Sequence, residues 1–353
     1  METLRAILAL SALKWLTLGQ LDIKGAHLNG TLKERVHMCQ PEGYKDRTNI
    51  SCLLVKTLYS LKQLGCEWNI GLDSKLRKHT FKQLIVNPCV YMGGEDLEII
   101  TVLVNNLMLF ATFESLMVKM KTNIKSEWEV TDLGEPTKIV GIEITKKGDS
   151  ITLSQVQYIE AILRNQGMLN VNLVAMPLDP HTPIEPNPKV NEGSQSNTYA
   201  WILGELQYLV NAMRPNIAFA VKCFSSYTAN RILQYLAGMK MYEITYSASP
   251  SSTNLFKGYS DATYKNTDDH KSMSSYVFTV GGGTITWMSR KQSTIVLSST
   301  EAEYVALSEA GLEASWLRSL LRNLVSHSTA QLLSSGTTRD PWQWQRIHSS
   351  TRR

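Results

Sequence analysis

Apolar positions along this chain recur with two different periods, and the alternation between them sketches the fold. In METLRAILALSALKWL, Leu4, Ile7, Leu8, Leu10 and Ser11, with Lys14, are spaced as on an amphipathic helix. An apolar segment, Leu18–Ile23, follows, then loops at Gly30 and at Pro41-Glu42-Gly43. Residues 53–79 have helical spacing, with Leu58, Leu61, Leu64, Trp68, Leu72 and Leu76 along one face. Ile99–Val104 and Leu107–Ala111 are β-rich apolar runs around Asn105-Asn106, which predicts a hairpin turning on two asparagines. A helix over 113–128, strands around Lys138–Thr145 and Ser150–Ser154, and a helix from Gln155 stopped by Gly167 complete this half.

Pro177, Pro180, Pro183, Pro186 and Pro188 then fall among Asn, Ser and Gly, a density that no packed element tolerates. Residues 177–197 therefore read as a linker. Beyond it, 199–238 is mainly helical. From Leu255 the period changes to that of strands, at Leu255–Tyr259, Ser275–Val280 and Thr284–Met288, the last two joined by three glycines. A helix over 300–322 closes this module. The tail, 326–353, is Ser-, Thr-, Arg- and Gln-rich with no apolar period and is expected to be disordered.

Composition narrows the class without naming it. With 353 residues, 43% hydrophobic and 19% charged, the chain has room for two or three ordinary cores. A net charge of +5 does not by itself mark a nucleic-acid binder, although a local basic stripe remains compatible with it. The cysteines, Cys39, Cys52, Cys66, Cys89 and Cys223, are odd in number and include no CxxC pair. That argues against a zinc site or a disulfide framework and fits a reducing, intracellular setting, cytoplasmic or nuclear. Arg5 followed by Ala6–Leu13 has the outline of a short signal peptide, but Lys14 interrupts it, so the expectation is a plain helix and no secretion. No run approaches the ~18 apolar residues of a membrane span.

Two places carry candidate chemistry. An Asn-Asn turn between apolar strands is, on its own, only a turn, because Asn tolerates positive φ. In the last helix, Glu303, Leu307, Ala310, Ala314, Leu317 and Leu321 recur at i+4 and i+3 steps, so Glu303 begins the apolar stripe, where an unpaired carboxylate is costly. It is either a stray acid in a frayed first turn or a functional group. Glu301, three residues after Ser298, is a capping-box acid.

The order of segments changes the weight of both. LDIKGAHLNG (21–30), QPEGY (40–44), TLYSLKQLGCEW (57–68), NPCVY (87–91), LVNNLMLFA (103–111), DLGEPTKIVGIEI (132–144) and LSQVQYIEAIL (153–163) together resemble the reverse transcriptase domain of Ty1/copia-type retrotransposon Pol polyproteins. GYSDATY (258–264), HKSMSSYVFTVGGGTITWMSRKQSTIVLSSTEAEYVALSEA (270–310) and ASWLRSLL (314–321) resemble that family's RNase H domain. The resemblance implies an α+β fold. A polymerase palm-like domain over 1–179, lacking fingers, carries a β-hairpin at its active site. A linker and connection region follow over 180–254, and a truncated RNase H-like mixed sheet with its helix over 255–325.

It also implies site residues. In the family the first segment carries one metal-binding aspartate, matched by Asp22, and the hairpin carries two more, at positions held here by Asn105 and Asn106. Asp261 and Glu303 match the first two RNase H metal ligands. The next ligand of that site lies in a Cys-Asp-Asn-Gln segment that has no counterpart here, since Asp340 has none of the neighbours. The implied cofactor is Mg²⁺, and the implied partners are an RNA template and an RNA–DNA hybrid, with no membrane. Three further departures are visible: Ser60 where the family commonly has glycine, Cys66 where arginine is frequent, and Asn230 running directly into Arg231 where relatives have roughly ten more residues. The expectation is a retrotransposon-derived reverse transcriptase/RNase H protein made inactive by the Asn-Asn turn. A residual Mg²⁺-dependent RNase H-type nuclease and a non-catalytic nucleic-acid-binding module are the alternatives.

Overall fold

The computed structural model describes residues 1–45, 50–94, 96–178, 194–223, 226–248, 256–264 and 270–326. The predicted tail, apart from Ser326, and most of the predicted linker lie outside them. The architecture is α+β, and every strand pairing is antiparallel among the described residues. That includes the region expected to hold a mixed sheet. No helix among these residues is long and apolar enough to cross a membrane. The chain forms two compact units: Leu16–Pro136 with residues 320–326, and Met1–Trp15 with Thr137–Ser319.

The opening helix, α1 (Glu2–Lys14), belongs to the second unit, and it is not amphipathic. Every residue from Thr3 to Ala12 is buried. A helix apolar all round is a core helix, and the one long polar side chain within that buried stretch, Arg5, is 2% exposed. Helical periodicity was legible in the sequence; burial on every side was not, because the covering elements lie far along the chain.

In the Leu16–Pro136 unit, β1 (Thr17–Ile23) realises the apolar segment, and β2 (Thr31–Met38) pairs with β3 (Cys52–Lys56) as a separate ribbon. The helical spacing over 53–79 holds for only half its length. Helix α2 spans Leu64–Lys78 and buries Trp68, Leu72 and Leu76, whereas Leu58 is exposed. The break falls at Ser60, whose φ is +77, a left-handed conformation that costs an L-residue about 1 kcal/mol and glycine almost nothing. The family's glycine at this position thus has a backbone reason. Ser60→Gly should stabilise this unit by about 0.5–1 kcal/mol, read as a higher urea midpoint at unchanged slope; a lower midpoint would refute the strain argument.

The short strand β4 (Lys82–Gln83) leads into β5 (Val90–Gly93), β6 (Glu98–Leu103), β7 (Asn106–Ala111), α3 (Glu114–Glu127) and β8 (Val130–Gly134). The sheet order is β4-β5-β6-β7-β1-β8. Alternation sends Leu21, Ile23, Ile100, Val102, Leu107 and Leu109 to one face, where they pack against α2 and against Met117, Met120 and Ile124 of α3. Gly19 permits the close approach of α3, since a Cβ there would stand 2.7 Å from Met117 Sδ. The opposite face of β1 carries Gln20 and Asp22.

In the other unit, β9 (Lys138–Ile139), β10 (Ile142–Lys147) and β11 (Ser150–Ser154) precede α4 (Val156–Asn165), which Gly167 ends at φ +67. Helices α5 (Ser194–Ala212), α6 (Ala218–Lys222) and α7 (Ser226–Gly238) pack with α4 through Ile159, Leu163, Leu206, Leu209, Ile232 and Leu236. The α5 helix starts at Ser194, inside the range read as linker. The Asn230–Arg231 junction lies within α7, and the buried Ala229, Ile232, Leu233 and Leu236 keep helical spacing across it. The shortened connection is therefore absorbed as uninterrupted helix. Strand β12 (Ile244–Ser247) joins β11. Then β13 (Phe256–Thr263), β14 (Met273–Val280) and β15 (Gly283–Lys291) form a three-stranded sheet ahead of α8 (Ser299–Ser326).

Candidate functional site

The three polymerase positions meet at one end of the large sheet. Register places Asp22 of β1 directly opposite Asn106 of β7. The hairpin, however, does not turn on Asn105-Asn106. Leu103 pairs with Asn106, so the two loop residues are Val104 and Asn105, and Asn106 is already in the strand. Val104 takes φ +62 at the first loop position, where a primed turn usually has glycine. A β-branched residue there is strained, and three hydrogen bonds around it hold the turn. Trp68 Nε1 donates to the Val104 carbonyl at 3.2 Å, Ile23 N–H donates to the Asn105 carbonyl at 2.9 Å, and Gln20 Nε2 donates to Asn106 Oδ1 at 3.0 Å.

This geometry shows what the amides do. Asn105 Nδ2 approaches Asp22 Oδ1 at 3.4 Å, a long and weak hydrogen bond. Asn106 Oδ1 is occupied by buried Gln20. The donor set is thus one carboxylate and two carboxamides that bond within the protein. A pair of hard dications needs anionic oxygens to offset their mutual repulsion, and this set does not fit one. Among the described residues, no group of three His, Cys, Asp or Glu side chains could hold a metal ion.

Two carboxylates lie near each other in the other unit. Asp261, on β13, is exposed, and Glu303, in the first turns of α8, is half-buried. Burial first, and then the charge of Asp261, push the Glu303 carboxyl above its usual range, while the Ala262 N–H pulls it back. Glu303 is not the start of the buried stripe, as its spacing suggested. Ala302, Ala306, Ala310, Ala314 and Leu317 form that stripe, and Leu307 is exposed. Small residues at i, i+4 bring α8 close to its sheet, and Glu303 flanks the contact. Glu301 is a cap: its N–H donates to Ser298 Oγ at 3.1 Å and its carboxylate accepts from the Leu297 N–H at 2.7 Å. Beside Asp261 runs a groove of about 510 Å³ lined by Tyr259, Phe219, Ser275 and Trp287. Asp340 lies outside the described residues.

Sequence reasoning missed Gln20, Trp68 and Val104 as parts of the first site. Gln20 had one signal, since it sits two residues before Asp22 on the same strand face. Trp68 had none, as it looked like one more residue of an apolar helix stripe.

Comparison with known proteins agrees with the motif reading. The family model described as reverse transcriptase (RNA-dependent DNA polymerase) matches residues 1–180. The retrovirus-related Pol polyprotein from transposon TNT 1-94 of Nicotiana tabacum is 33% identical over 93% of this chain, and that from transposon RE1 of Arabidopsis thaliana is 31% identical over 91%. The chain spans about a quarter of these two relatives, 26% and 23% of their lengths. A transposon Ty5-1 protein of Saccharomyces cerevisiae is 27% identical over 83% of the chain and is covered in full. The ordered motifs, the family match and these relatives make the chain a member of the reverse transcriptase family of Ty1/copia-type retrotransposons.

Proposed function

We propose that this chain is a non-catalytic remnant of a retrotransposon reverse transcriptase, in which the fold outlasted the polymerase chemistry. The observation that carries the reading is the donor set at the hairpin: Asp22 alone is anionic, and the two amides satisfy neighbouring groups. In the family, Mg²⁺ would activate a primer hydroxyl and hold a triphosphate at this place. One carboxylate leaves that arrangement without its ligands. The family's substrate class is nucleic acid, an RNA template and an RNA–DNA hybrid, so weak binding without turnover is part of the proposal. The test is direct. Purified full chain, a primed RNA template, all four deoxynucleotides and Mg²⁺ should give no primer extension above a no-protein control. Extension by the unmodified chain would defeat the carboxylate argument.

A residual RNase H-type nuclease is the second reading, and the Asp261–Glu303 pair is the observation in its favour. Two acids hold one cation better than two, and the third acid of the family's site is missing from this chain. The expected outcome with a labelled RNA–DNA hybrid in Mg²⁺ is no cleavage. Cleavage that disappears in Asp261→Asn would replace the remnant reading with this one.

A further inference from the structure

Helix α8 packs on one face of the three-stranded sheet. Thr286 Oγ1 donates to Glu313 and Arg290 Nη2 donates to Glu309, both on α8, so Trp287 and Ser289, which alternate with them, face the other way. On that other face is a groove of about 510 Å³, walled by Phe219 of α6. Its floor is built in two rungs. Tyr259, Val277 and Trp287 stand side by side across β13, β14 and β15, and Asp261, Ser275 and Ser289 form the next rung. Side chains within a rung lie about 5 Å apart, and the rungs about 7 Å apart. The first rung is aromatic and apolar; the second is a carboxylate beside two hydroxyls. Trp287 is fixed from two sides, its Nε1 donating to the Val210 carbonyl at 2.9 Å and its ring centre 3.9 Å from the Arg5 guanidinium. Tyr259 is 42% exposed. No Lys, Arg or His lines the groove, and among the described residues the Asp261 carboxylate is in no ion pair.

The volume falls within the roughly 300–1,000 Å³ of small-molecule sites. An occupant needs a flat body for the aromatic rung and N–H donors for the polar one. A carboxylate only accepts, through two oxygens, so it is best matched by a planar edge with two adjacent N–H donors. A hydroxyl beside it serves an acceptor next to those donors. Guanine has that edge, with N1–H and the N2 amine side by side and O6 adjoining. Adenine and cytosine set a ring-nitrogen lone pair beside their amino group, and uracil flanks its one N–H with two carbonyls. Each of these would turn a lone pair towards the carboxylate. Along β13, Lys257, Tyr259 and Asp261 follow one another on one face at two-residue steps. Cation, ring and carboxylate in that order complement phosphate, base and N–H edge. We propose that this groove binds a single unstacked guanine base, held against Tyr259 with its N–H edge on Asp261 and its phosphate towards Lys257. Such a site needs neither a metal ion nor turnover, so it is independent of the polymerase reading.

Saturation-transfer NMR on the full chain tests this, in EDTA so that no metal bridges phosphate to the acids. Guanosine 5′-monophosphate should saturate with a dissociation constant of about 0.1–1 mM. Inosine monophosphate, which lacks the N2 amine, should bind about tenfold more weakly, and adenosine monophosphate should not saturate below roughly 10 mM. Asp261→Asn and Tyr259→Ala should each weaken guanosine monophosphate by about tenfold or more. Lys257→Gln should weaken the monophosphate and leave guanosine unchanged; equal effects on the two overturn the placement of the phosphate. The pentaribonucleotide UUGUU distinguishes sources: binding tighter than that of guanosine monophosphate assigns the site to a base within a single strand, and weaker binding assigns it to a free nucleotide. Equal binding of guanosine and adenosine monophosphates, no saturation up to roughly 10 mM, or unchanged affinity in folded Asp261→Asn overturns the proposal. If that variant does not fold, the ranking of the three nucleotides on the native chain decides, and equal affinities overturn it.

Discussion

Asn105→Asp combined with Asn106→Asp should tighten Mn²⁺ binding by at least about 100-fold over the native chain. The backbone is already in place for it. Ile23 N–H holds the Asn105 carbonyl, Trp68 Nε1 holds the Val104 carbonyl, and register sets position 106 opposite Asp22. Each substitution changes an amide to a carboxylate of nearly the same shape, so the gain is mainly electrostatic. At an effective dielectric near 20, a carboxylate about 4 Å from a dication is worth several kcal/mol. Repulsion among three crowded carboxylates and their desolvation take back much of this, leaving about two decades in affinity. The same repulsion predicts that the double variant melts below the native chain without metal and recovers when Mn²⁺ is added. Titration calorimetry or Mn²⁺ electron paramagnetic resonance measures the first effect, and thermal denaturation the second. Unchanged affinity in a folded double variant would mean that the missing carboxylates are not what keeps this site from holding cations.

The largest stability loss is expected from Arg5→Ala, about 3–5 kcal/mol. Arg5 Nε donates to the Ile285 carbonyl at 2.5 Å, and its Nη1 donates to the Asn211 and Ala212 carbonyls at 2.7 and 2.6 Å. Its guanidinium sits 3.9 Å from the centre of the Trp287 ring. No carboxylate answers this charge in those contacts. The partners are a strand carbonyl and the last carbonyls of α5, the end of the helix where the macrodipole is negative. Burial lowers the Arg5 pKa to about 10, which still leaves it cationic at neutral pH. Truncation to alanine would strand two buried acceptors and a part-buried one, and open a cavity beneath α1. Arg5→Lys should recover little, because a single ammonium cannot reach both directions and stack on the indole as well. Amide hydrogen exchange of α1 and β15, which reports on this unit separately, checks the effect. A loss below about 1 kcal/mol would show that water replaces these bonds without penalty.

Arg214 repeats the device in the same unit, donating to the Met239 and Tyr242 carbonyls at 2.5 and 3.2 Å. Neither arginine was picked out from the sequence. Arg5 was noticed only as the basic residue before an apolar run, which is where a targeting signal would place it.

The legible part of the fold was the part made by neighbours in sequence. The strands around the hairpin, α3, α4 with its terminal glycine, and α8 all follow from local periodicity and local caps. Where the period was misread, a long-range contact was responsible: residues 53–56 pair with β2 instead of continuing α2, and the hairpin turns one residue early because Asn106 pairs across to Leu103 and Asp22.

The chemistry divides in the same way. Which side chains stand at the hairpin is a property of the sequence alone, and so are the family membership and the missing carboxylates. No arrangement of the chain supplies charge that the residues do not have. The tertiary structure decided how the remaining groups are used: that Asn105 leans on Asp22, that Gln20 holds Asn106, and that Arg5 is buried under carbonyls more than 200 residues away. Burial and pairing depend on distances between residues remote along the chain, and a one-dimensional pattern contains no such distances.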